Sequence, residues 1–235
     1  MRLLDLTYTG DAINVRRASD NAVQDIGFDA NGDLDTSALA TFCAGTDGYV
    51  VRWYDQSGNG NDAVQATTSA QPQIVASGSV ITTNGKPSLS FFSELIKLDL
   101  DVFGYTNFSL FETITTTDTK FMLLHNQGVG FSYVAFINSN VTALDNFGSA
   151  NLYCNGSFIG ATPTWGAVYN ASATGSQVIR SMVNASTSAW TDSQYNGYST
   201  YEFSGNVQEL VIYPSDQSSN RAGIESNIND YYTIY

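Results

Sequence analysis

Tyr49-Val50-Val51-Arg52-Trp53-Tyr54-Asp55-Gln56-Ser57-Gly58-Asn59-Gly60-Asn61-Asp62 is the stretch that decides the fold of this chain. Its first half is β-branched and aromatic, which is typical of a half-buried strand. Its second half is a turn cluster: Gly58 and Gly60 can adopt positive φ, and the side chains of Asp55, Asn59 and Asn61 can bond back to the loop backbone. The stretch therefore predicts a strand that runs into a rigid polar turn.

The oxygen-bearing side chains of this turn leave a second interpretation open, a calcium loop. Its candidate ligands are Asp55, Ser57, Asn59, Asn61 and Asp62. The EF-hand template requires a bidentate Glu at its twelfth position, where this chain has Ala66. We therefore predict a structural turn that bonds to itself, with no metal and no cofactor.

Short strand-like segments recur along the rest of the chain at intervals of roughly 8–12 residues, which favours a β-sandwich with jelly-roll-like topology. The segments are Gln73–Ala76, Ser79–Thr83, Ser88–Phe92, Leu95–Leu100, Asn107–Thr115, Lys120–His125, Val129–Ile137, Asn151–Cys154, Ser157–Ile159, Ala167–Tyr169, Ser176–Val183 and Gly205–Tyr213. Asn-Gly pairs at 84–85 and 155–156 predict tight turns. Helical patterns are confined to residues 36–43 and 217–231. Without a linker or repeat, residues 1–235 are predicted to form a single domain.

Composition limits the partners of the protein. Nine basic and 22 acidic residues give a net charge of −13, which disfavours nucleic acid and anionic membranes. No apolar run approaches the ~18 residues of a membrane-spanning helix, so no membrane insertion is expected. Residues 1–5 do not resemble a signal peptide, which predicts a chain made and folded in the cytoplasm.

Four segments carry a family resemblance: Tyr8–Arg17, Asp25–Phe28, Thr41–Thr46 and the stretch quoted above. Together they resemble the opening of the B-type α-L-arabinofuranosidase catalytic domain, which is a concanavalin A-like β-sandwich. The same opening, with an ending like Gln208–Gln217, also recurs in laminin-G-like domains of bacteriophage structural proteins. The resemblance implies an all-β, concanavalin A-like jelly-roll sandwich with a short helix near residues 36–43 and a C-terminal helix.

The chain departs from the arabinofuranosidase pattern at its cysteines. That pattern places a second cysteine five residues after Cys43, where this chain has Gly48, and its adjacent Cys-Cys pair has no counterpart here. Two cysteines are too few for a disulfide framework. We therefore predict that Cys43 and Cys154 are reduced and unpaired.

A second departure concerns the catalytic carboxylates. The resemblance implies a Glu nucleophile within an Asp-x-Glu-Asn-Asn run and an Asp acid/base after two glycines, but the chain lacks that run and offers only Leu144-Asp145-Asn146. Asp192 lies roughly where the acid/base is expected, although Trp190-Thr191 precedes it. If the protein is an enzyme, Asp192, Asp145 and Glu202 are the candidate catalytic residues. Otherwise the missing run predicts no hydrolysis of aryl arabinofuranosides.

Several aromatic residues lie in or beside polar, glycine-containing segments in the second half of the chain. Rings in such places suit stacking on the C–H face of a sugar, and the candidate carbohydrate-binding residues are Trp165, Trp190, Tyr195 and Tyr198. The alternative, which the 30 aromatic residues of the chain favour, is that these rings belong to the core or to an interface.

The leading functional hypothesis from sequence is a non-enzymatic bacteriophage virion appendage, such as a head decoration, a fibre or a tail component, with weak glycan binding. Its expected location is the virion, assembled in the host cytoplasm, and its expected partners are other virion proteins and host-surface glycans. Because single-site stacking is weak, useful affinity requires many copies, which predicts a homo-oligomer. The alternatives are an arabinofuranosidase-like glycoside hydrolase and a decoration protein without a ligand.

Overall fold

The protein is described from a computed structural model. The described residues are 1–92, 97–100, 105–117, 120–126, 132–137, 150–161, 163–186, 193–195 and 203–235; for 120–126, 132–137 and 165 only the backbone is described. Within them are three α-helices, α1 (Thr36–Phe42), α2 (Trp165–Ser172) and α3 (Arg221–Tyr232), and one short 3₁₀ turn, Thr68–Ala70.

Strands account for most of the regular structure. In the first half of the chain they are β1 (Ile13–Arg17), β2 (Val23–Ile26), β3 (Gly48–Trp53), β4 (Ala63–Val64), β5 (Gln73–Ala76), β6 (Ser79–Val80), β7 (Thr82–Thr83), β8 (Lys86–Pro87), β9 (Leu89–Phe91) and β10 (Leu98–Leu100). In the second half they are β11 (Phe108–Thr115), β12 (Lys120–Asn126), β13 (Ser132–Ile137), β14 (Asn151–Cys154), β15 (Ser157–Gly160), β16 (Gln177–Ala185), β17 (Ser193–Tyr195) and β18 (Gly205–Tyr213).

The strands form a sandwich in which the described pairs are antiparallel. One layer has the order β9-β18-β11-β16-β14-β15 and the other β13-β12-β17-β10-β4-β3, with β1 and β2 continuing from β3. β5 connects the layers, because it pairs with β3 on one side and, through Gln73 and Ser90, with β9 on the other. The prediction of an all-β sandwich is confirmed.

The longest strands supply apolar residues to both of their faces. On β11, Leu110 and Ile114 join the main core between the layers, whereas Phe111 faces the outside of its layer. There it packs in a second cluster with Ile228 and Tyr232 of α3. This two-sided packing explains why β11 and β16 are buried at nearly every residue rather than at alternate ones.

The helices agree with the sequence prediction in two cases out of three. α1 begins as expected, with Asp35 Oδ1 accepting a hydrogen bond of 2.9 Å from the Ala38 N–H. α3 begins only at Arg221, because residues 217–220 form a turn before it. α2 was not predicted: its sequence suggested a strand over Ala167–Tyr169, which is wrong, because Thr164 caps a helix there instead.

The tight turns follow their sequence signals. Asn84-Gly85 and Asn155-Gly156 both adopt positive φ at both residues, the conformation that favours Asn-Gly in hairpins. None of the helices among the described residues combines the length and the apolar character needed to cross a membrane.

Cys43 and Cys154 are both buried and free in this structure. A Cβ atom at Gly48 would lie 2.7 Å from Cys43 Sγ and 3.2 Å from Val75 Cβ, so the sulfur fills the space that a side chain at position 48 would need. The Cys154 Sγ donates a weak hydrogen bond of 3.2 Å to the Ala171 carbonyl. The reduced state in solution stays a prediction, which a non-reducing mass measurement checks.

Candidate functional site

The central turn is organised by one carboxylate. Asp55 Oδ1 accepts a hydrogen bond of 2.8 Å from the Ser57 N–H, and Oδ2 accepts from the Ser57 hydroxyl at 2.7 Å and the Asn61 N–H at 3.0 Å. Gly58 and Gly60 both have φ of +78°. The predictions that Asp55 bonds back to its own loop and that these glycines take positive φ are confirmed.

The other polar residues of the turn behave differently from the prediction. Asn59 donates its side-chain amide to the Ser57 hydroxyl at 2.9 Å rather than to the backbone, and Asn61 takes part through its own backbone N–H. Asp62, considered above only as a metal ligand, closes the turn: its Oδ1 accepts from the Asp55 N–H at 2.8 Å and its Oδ2 pairs with Arg52 at 2.7 Å. The turn is therefore tied to β3 by an ion pair as well as by the chain.

Hydrogen bonding also sets the charge state of the turn. Burial would raise the pKa of Asp55, but the hydrogen bonds from Ser57 and Asn61 outweigh it and leave that pKa below its usual value. Among the residues that the structure describes, no group of three or more His, Cys, Asp or Glu side chains has the arrangement of a metal site. The bonding pattern favours the structural interpretation of the turn.

A charged cluster lies between the two layers of the sandwich. Glu112 on β11 and Arg180 on β16 occupy paired positions, and their side chains form an ion pair with only 3% and 5% of their surface exposed. From the opposite layer, the Tyr195 hydroxyl donates to Glu112 Oε2 at 2.8 Å. Burial and the Glu112 charge raise the pKa of Tyr195 well above its ordinary value. An ion pair this deep is tolerated because each partner is close to the other and hydrogen-bonded.

All three side chains of β17 are anchored. The Ser193 hydroxyl donates to the Leu100 carbonyl at 2.7 Å, the Gln194 amide donates to Asp99, and Tyr195 bonds Glu112 as described. The backbone of β17 also pairs with β10 and with β12. This three-residue strand, which directly follows Asp192 in the chain, is thus fixed on both sides and through its side chains.

The candidate residues named from sequence fall largely outside the part of the chain that the structure describes. Asp145, Asp192, Glu202, Trp190 and Tyr198 all lie outside the described residues.

For two further candidate rings the structure gives at least the backbone. Trp165 is the first residue of α2, and its side chain is not among those described. Tyr195 is only 1% exposed, so the prediction that it offers an exposed ring for sugar stacking is wrong. Its polar neighbours suggested a loop, but the segment is a strand whose tyrosine faces the core and bonds Glu112.

Sequence reasoning missed the Glu112–Arg180 pair altogether. The available signal was a single charged residue within each of two otherwise uncharged strand segments, Phe-Ser-Leu-Phe-Glu-Thr-Ile at 108–114 and Gln-Val-Ile-Arg-Ser-Met-Val at 177–183. Charged side chains are almost never fully buried unless they are paired. A negative charge in one buried strand and a positive charge in another therefore predict that the two side chains form an ion pair. What sequence could not supply is the register that places them side by side.

Comparison with known proteins places this geometry in context. Residues 1–91 match the family model described as alpha-L-arabinofuranosidase B, catalytic. Alpha-L-arabinofuranosidase B of Emericella nidulans is 30% identical over 181 residues, which cover 70% of this chain and 33% of that protein. A probable alpha-L-arabinofuranosidase B of Aspergillus terreus is 35% identical over 101 residues, or 39% of this chain and 20% of that protein. The chain therefore spans about a third or less of these relatives.

Solved structures extend the likeness in fold. A GH54 arabinofuranosidase soaked with a cyclic sulfate inhibitor superposes with a TM-score of 0.64 at 18% identity, covering 97% of this chain and 60% of that chain. An arabinofuranosidase complexed with arabinofuranosyl-α-1,2-xylobiose gives 0.62 at 17% identity, with the same coverage.

These findings correct the functional hypothesis drawn from sequence. The matched proteins are fungal arabinofuranosidases, so the interpretation as a bacteriophage virion appendage is wrong, and so is the expected virion location. The error arose because a shared sandwich opening and ending carry fold rather than function. Glycan partners and a homo-oligomer are not tested by these findings and stay predictions. In its first 91 residues the chain carries the sequence pattern of the B-type α-L-arabinofuranosidase catalytic domain, and it has that domain's β-sandwich fold over 97% of its length.

Proposed function

We propose that this chain is a glycoside hydrolase domain that cleaves α-L-arabinofuranosidic bonds. The observation that carries the proposal is the match of residues 1–91 to the arabinofuranosidase catalytic family. The Emericella nidulans relative supports it, since that likeness extends over 70% of the chain, well beyond the matched opening. We propose further that residues 1–235 form one domain and that this domain holds the catalytic residues.

Glycosidic hydrolysis requires two carboxyl groups, one to protonate the leaving oxygen and one to act as nucleophile or to activate water. By its resemblance to the family, Asp192 takes the acid/base role, and Asp145 or Glu202 supplies the second carboxylate. The family's Asp-x-Glu-Asn-Asn run is absent, so the second assignment rests on the nearest carboxylates alone. In a retaining enzyme the two groups would lie about 5–5.5 Å apart, and in an inverting one about 6.5–9.5 Å.

The anchoring of β17 supports the choice of Asp192. Catalytic groups work only when they are held close to the productive geometry, and neighbouring packing and hydrogen bonds hold them there. Ser193, Gln194 and Tyr195 each make a side-chain hydrogen bond to a different residue of the sandwich. Asp192 is the residue immediately before this anchored strand in the sequence.

The test is hydrolysis of 4-nitrophenyl α-L-arabinofuranoside by the purified chain and by Asp192→Asn. We expect turnover by the parent and a loss of about 100-fold or more in kcat for the variant, in line with the usual contribution of acid/base catalysis. Asp145→Asn and Glu202→Gln identify the second carboxylate by the same criterion. Asp230→Asn, an exposed position on α3, is the matched control and should keep full activity.

The possible outcomes separate the function from the residue assignment. A folded protein without turnover, in an assay where a known arabinofuranosidase is active, would overturn the proposed function. Turnover that survives in Asp192→Asn would leave the function standing and remove Asp192 from the mechanism.

A further inference from the structure

A pocket of about 370 Å³ opens where three segments meet: the N-terminal residues 1–5, the central turn that follows β3, and the end of β18. This volume lies within the range of small-ligand sites, which combine an apolar lining with a few placed polar groups. None of its described lining residues has a role in the proposed hydrolysis, so ligand binding in this pocket can be tested separately.

The apolar part of the lining combines aliphatic side chains with aromatic rings. Four rings contribute to it, Trp53, Tyr54, Tyr105 and Tyr213, drawn from both layers of the sandwich and from the segment before β11. None of the four residues is fully buried, although Trp53 and Tyr105 also pack against the main core and Tyr213 against the second cluster. Rings of this kind offer flat faces on which the C–H groups of a sugar can pack.

The pocket is preformed, because its walls are tied to one another. The Gln56 side-chain amide donates to the Arg2 carbonyl at 3.0 Å, and the Gln56 side-chain oxygen accepts from the Leu4 N–H at 2.7 Å. These two hydrogen bonds join the central turn to the N-terminal segment. Arg2 in turn holds Glu209 of β18 through two hydrogen bonds of 2.9 and 3.1 Å. All three walls are therefore joined by polar contacts, which lowers the ordering cost of binding.

The polar lining favours a neutral ligand. Three carboxylates and one guanidinium line the described part of the pocket, which disfavours phosphates and acidic sugars. Of these groups, Glu209 and Arg2 neutralise each other, and the oxygens of Asp55 are already bonded to its own loop. Asp5 Oδ1 accepts hydrogen bonds from the Thr7 N–H and hydroxyl, so the lining keeps a net negative charge but its carboxylate oxygens are largely engaged within the protein. The exposed amides of Asn59 and Asn61, in contrast, can exchange hydrogen bonds with hydroxyl groups.

From this combination we propose that the pocket binds one neutral sugar unit of a glycan, with its ring stacked on one of these aromatic side chains and its hydroxyl groups bonded to Asn59 and Asn61. The Asn61 N–H donates to Asp55 and the Asn59 N–H donates to the Ser57 hydroxyl, while Gly58 and Gly60 adopt positive φ beside them. The self-bonded turn thus positions the polar side of the site.

The experiment titrates the full chain with xylotriose and with cellotriose, monitored by saturation-transfer NMR and calorimetry. These probes contain no arabinofuranosyl group, so binding can be measured whether or not the protein hydrolyses arabinofuranosides. We expect at least one of them to bind, and the Asn59→Ala/Asn61→Ala double variant to bind about five- to ten-fold more weakly, since each lost hydrogen bond contributes modestly. Asn170→Ala on α2, also exposed and not part of the described lining, should bind as the parent does.

Thermal melting of each variant keeps the result interpretable, because both asparagines are exposed and the double variant should keep the parent melting temperature. Equal binding by the parent and the double variant would overturn the proposal, and so would the absence of binding to both sugars. Choline and trigalacturonate are included as a cationic and an anionic probe. Tighter binding of either one, weakened in the double variant, would overturn the assignment to a neutral sugar.

Discussion

Replacing Tyr195 by Phe tests whether the inter-layer cluster contributes to stability. The substitution removes one hydroxyl that donates to Glu112 Oε2 at 2.8 Å and leaves the ring in its place. Tyr195 is 1% exposed and the Glu112 side chain 3%, so water cannot readily replace the lost donor. A hydrogen bond to a charged acceptor contributes about 1.5–3 kcal/mol, and we expect a loss of that size in the free energy of unfolding.

Removing the carboxylate should cost more. Glu112→Leu leaves Arg180 as a buried cation without its counter-charge, for which we expect a loss of about 3–5 kcal/mol. Replacing both partners, as in Glu112→Leu/Arg180→Met, removes the uncompensated charge and should be less destabilising than Glu112→Leu alone. A smaller loss in the double variant than in the single variant distinguishes a buried ion pair from ordinary packing, because the costs of two cavities would add.

The assay is urea unfolding followed by far-ultraviolet circular dichroism at neutral pH, with midpoints and slopes compared across the variants. Tyr235→Phe is the matched control: Tyr235 is 55% exposed, and the change should stay within about 0.5 kcal/mol. A Tyr195→Phe variant as stable as this control would refute the reasoning. The reasoning would also be refuted if the double variant lost as much stability as Glu112→Leu and Arg180→Met lose together as single variants.

Three further predictions follow from local geometry. Gly58→Val should lower the free energy of unfolding by about 1–3 kcal/mol, because Gly58 has a φ of +78° that a β-branched residue rarely adopts. Gly58→Asn should lower it less, and equal urea midpoints for the two variants would contradict backbone strain as the cause. Gly48→Ala should lower the free energy of unfolding by about 1–3 kcal/mol, because the new Cβ overpacks against Cys43. Gly48→Cys should form a disulfide with Cys43 on oxidation, and two free thiols at these positions by mass spectrometry after oxidation would contradict this prediction. Burial and the Asp25 carboxylate raise the pKa of Tyr54 from 10.0 to about 12, so the unfolded chain loses this proton first and stability should fall as pH rises from about 10 to 12. Tyr54→Phe should flatten that fall in unfolding midpoints, and an unchanged slope would contradict the assignment.

The sequence correctly predicted the strands, turns and caps that are determined by neighbouring residues in the chain. The final strand was expected over Gly205–Tyr213 and has those bounds, because its apolar run ends at a proline. Asn84-Gly85 forms its turn because both residues tolerate positive φ. Asp35 caps α1 because a carboxylate can accept a hydrogen bond from the backbone three residues ahead.

Features that depend on contacts with residues far away in the sequence were missed. Residues 167–169 carry small, β-branched and aromatic side chains that suit a strand, yet the segment is helical, capped by Thr164 and packed by Val168 into the main core. Tertiary packing overrides a weak local preference of this kind. Tyr195 was assigned to the surface by its polar neighbours, but its hydroxyl bonds a residue 83 positions away in sequence. Such a partner cannot be identified without the strand register.

The functional error has a similar origin. The absence of the Asp-x-Glu-Asn-Asn run led to the virion hypothesis and to the prediction of no hydrolysis, but the hydrolysis proposed above requires only two carboxylates at a suitable separation in space, not in one stretch of sequence. In a sandwich, strands far apart in the chain lie side by side, as Leu100 and Ser193 do across β10 and β17. The second carboxylate therefore need not lie near Asp192 in the sequence. Paired substitutions of carboxylates test this directly, whereas a motif search examines only neighbours in the chain.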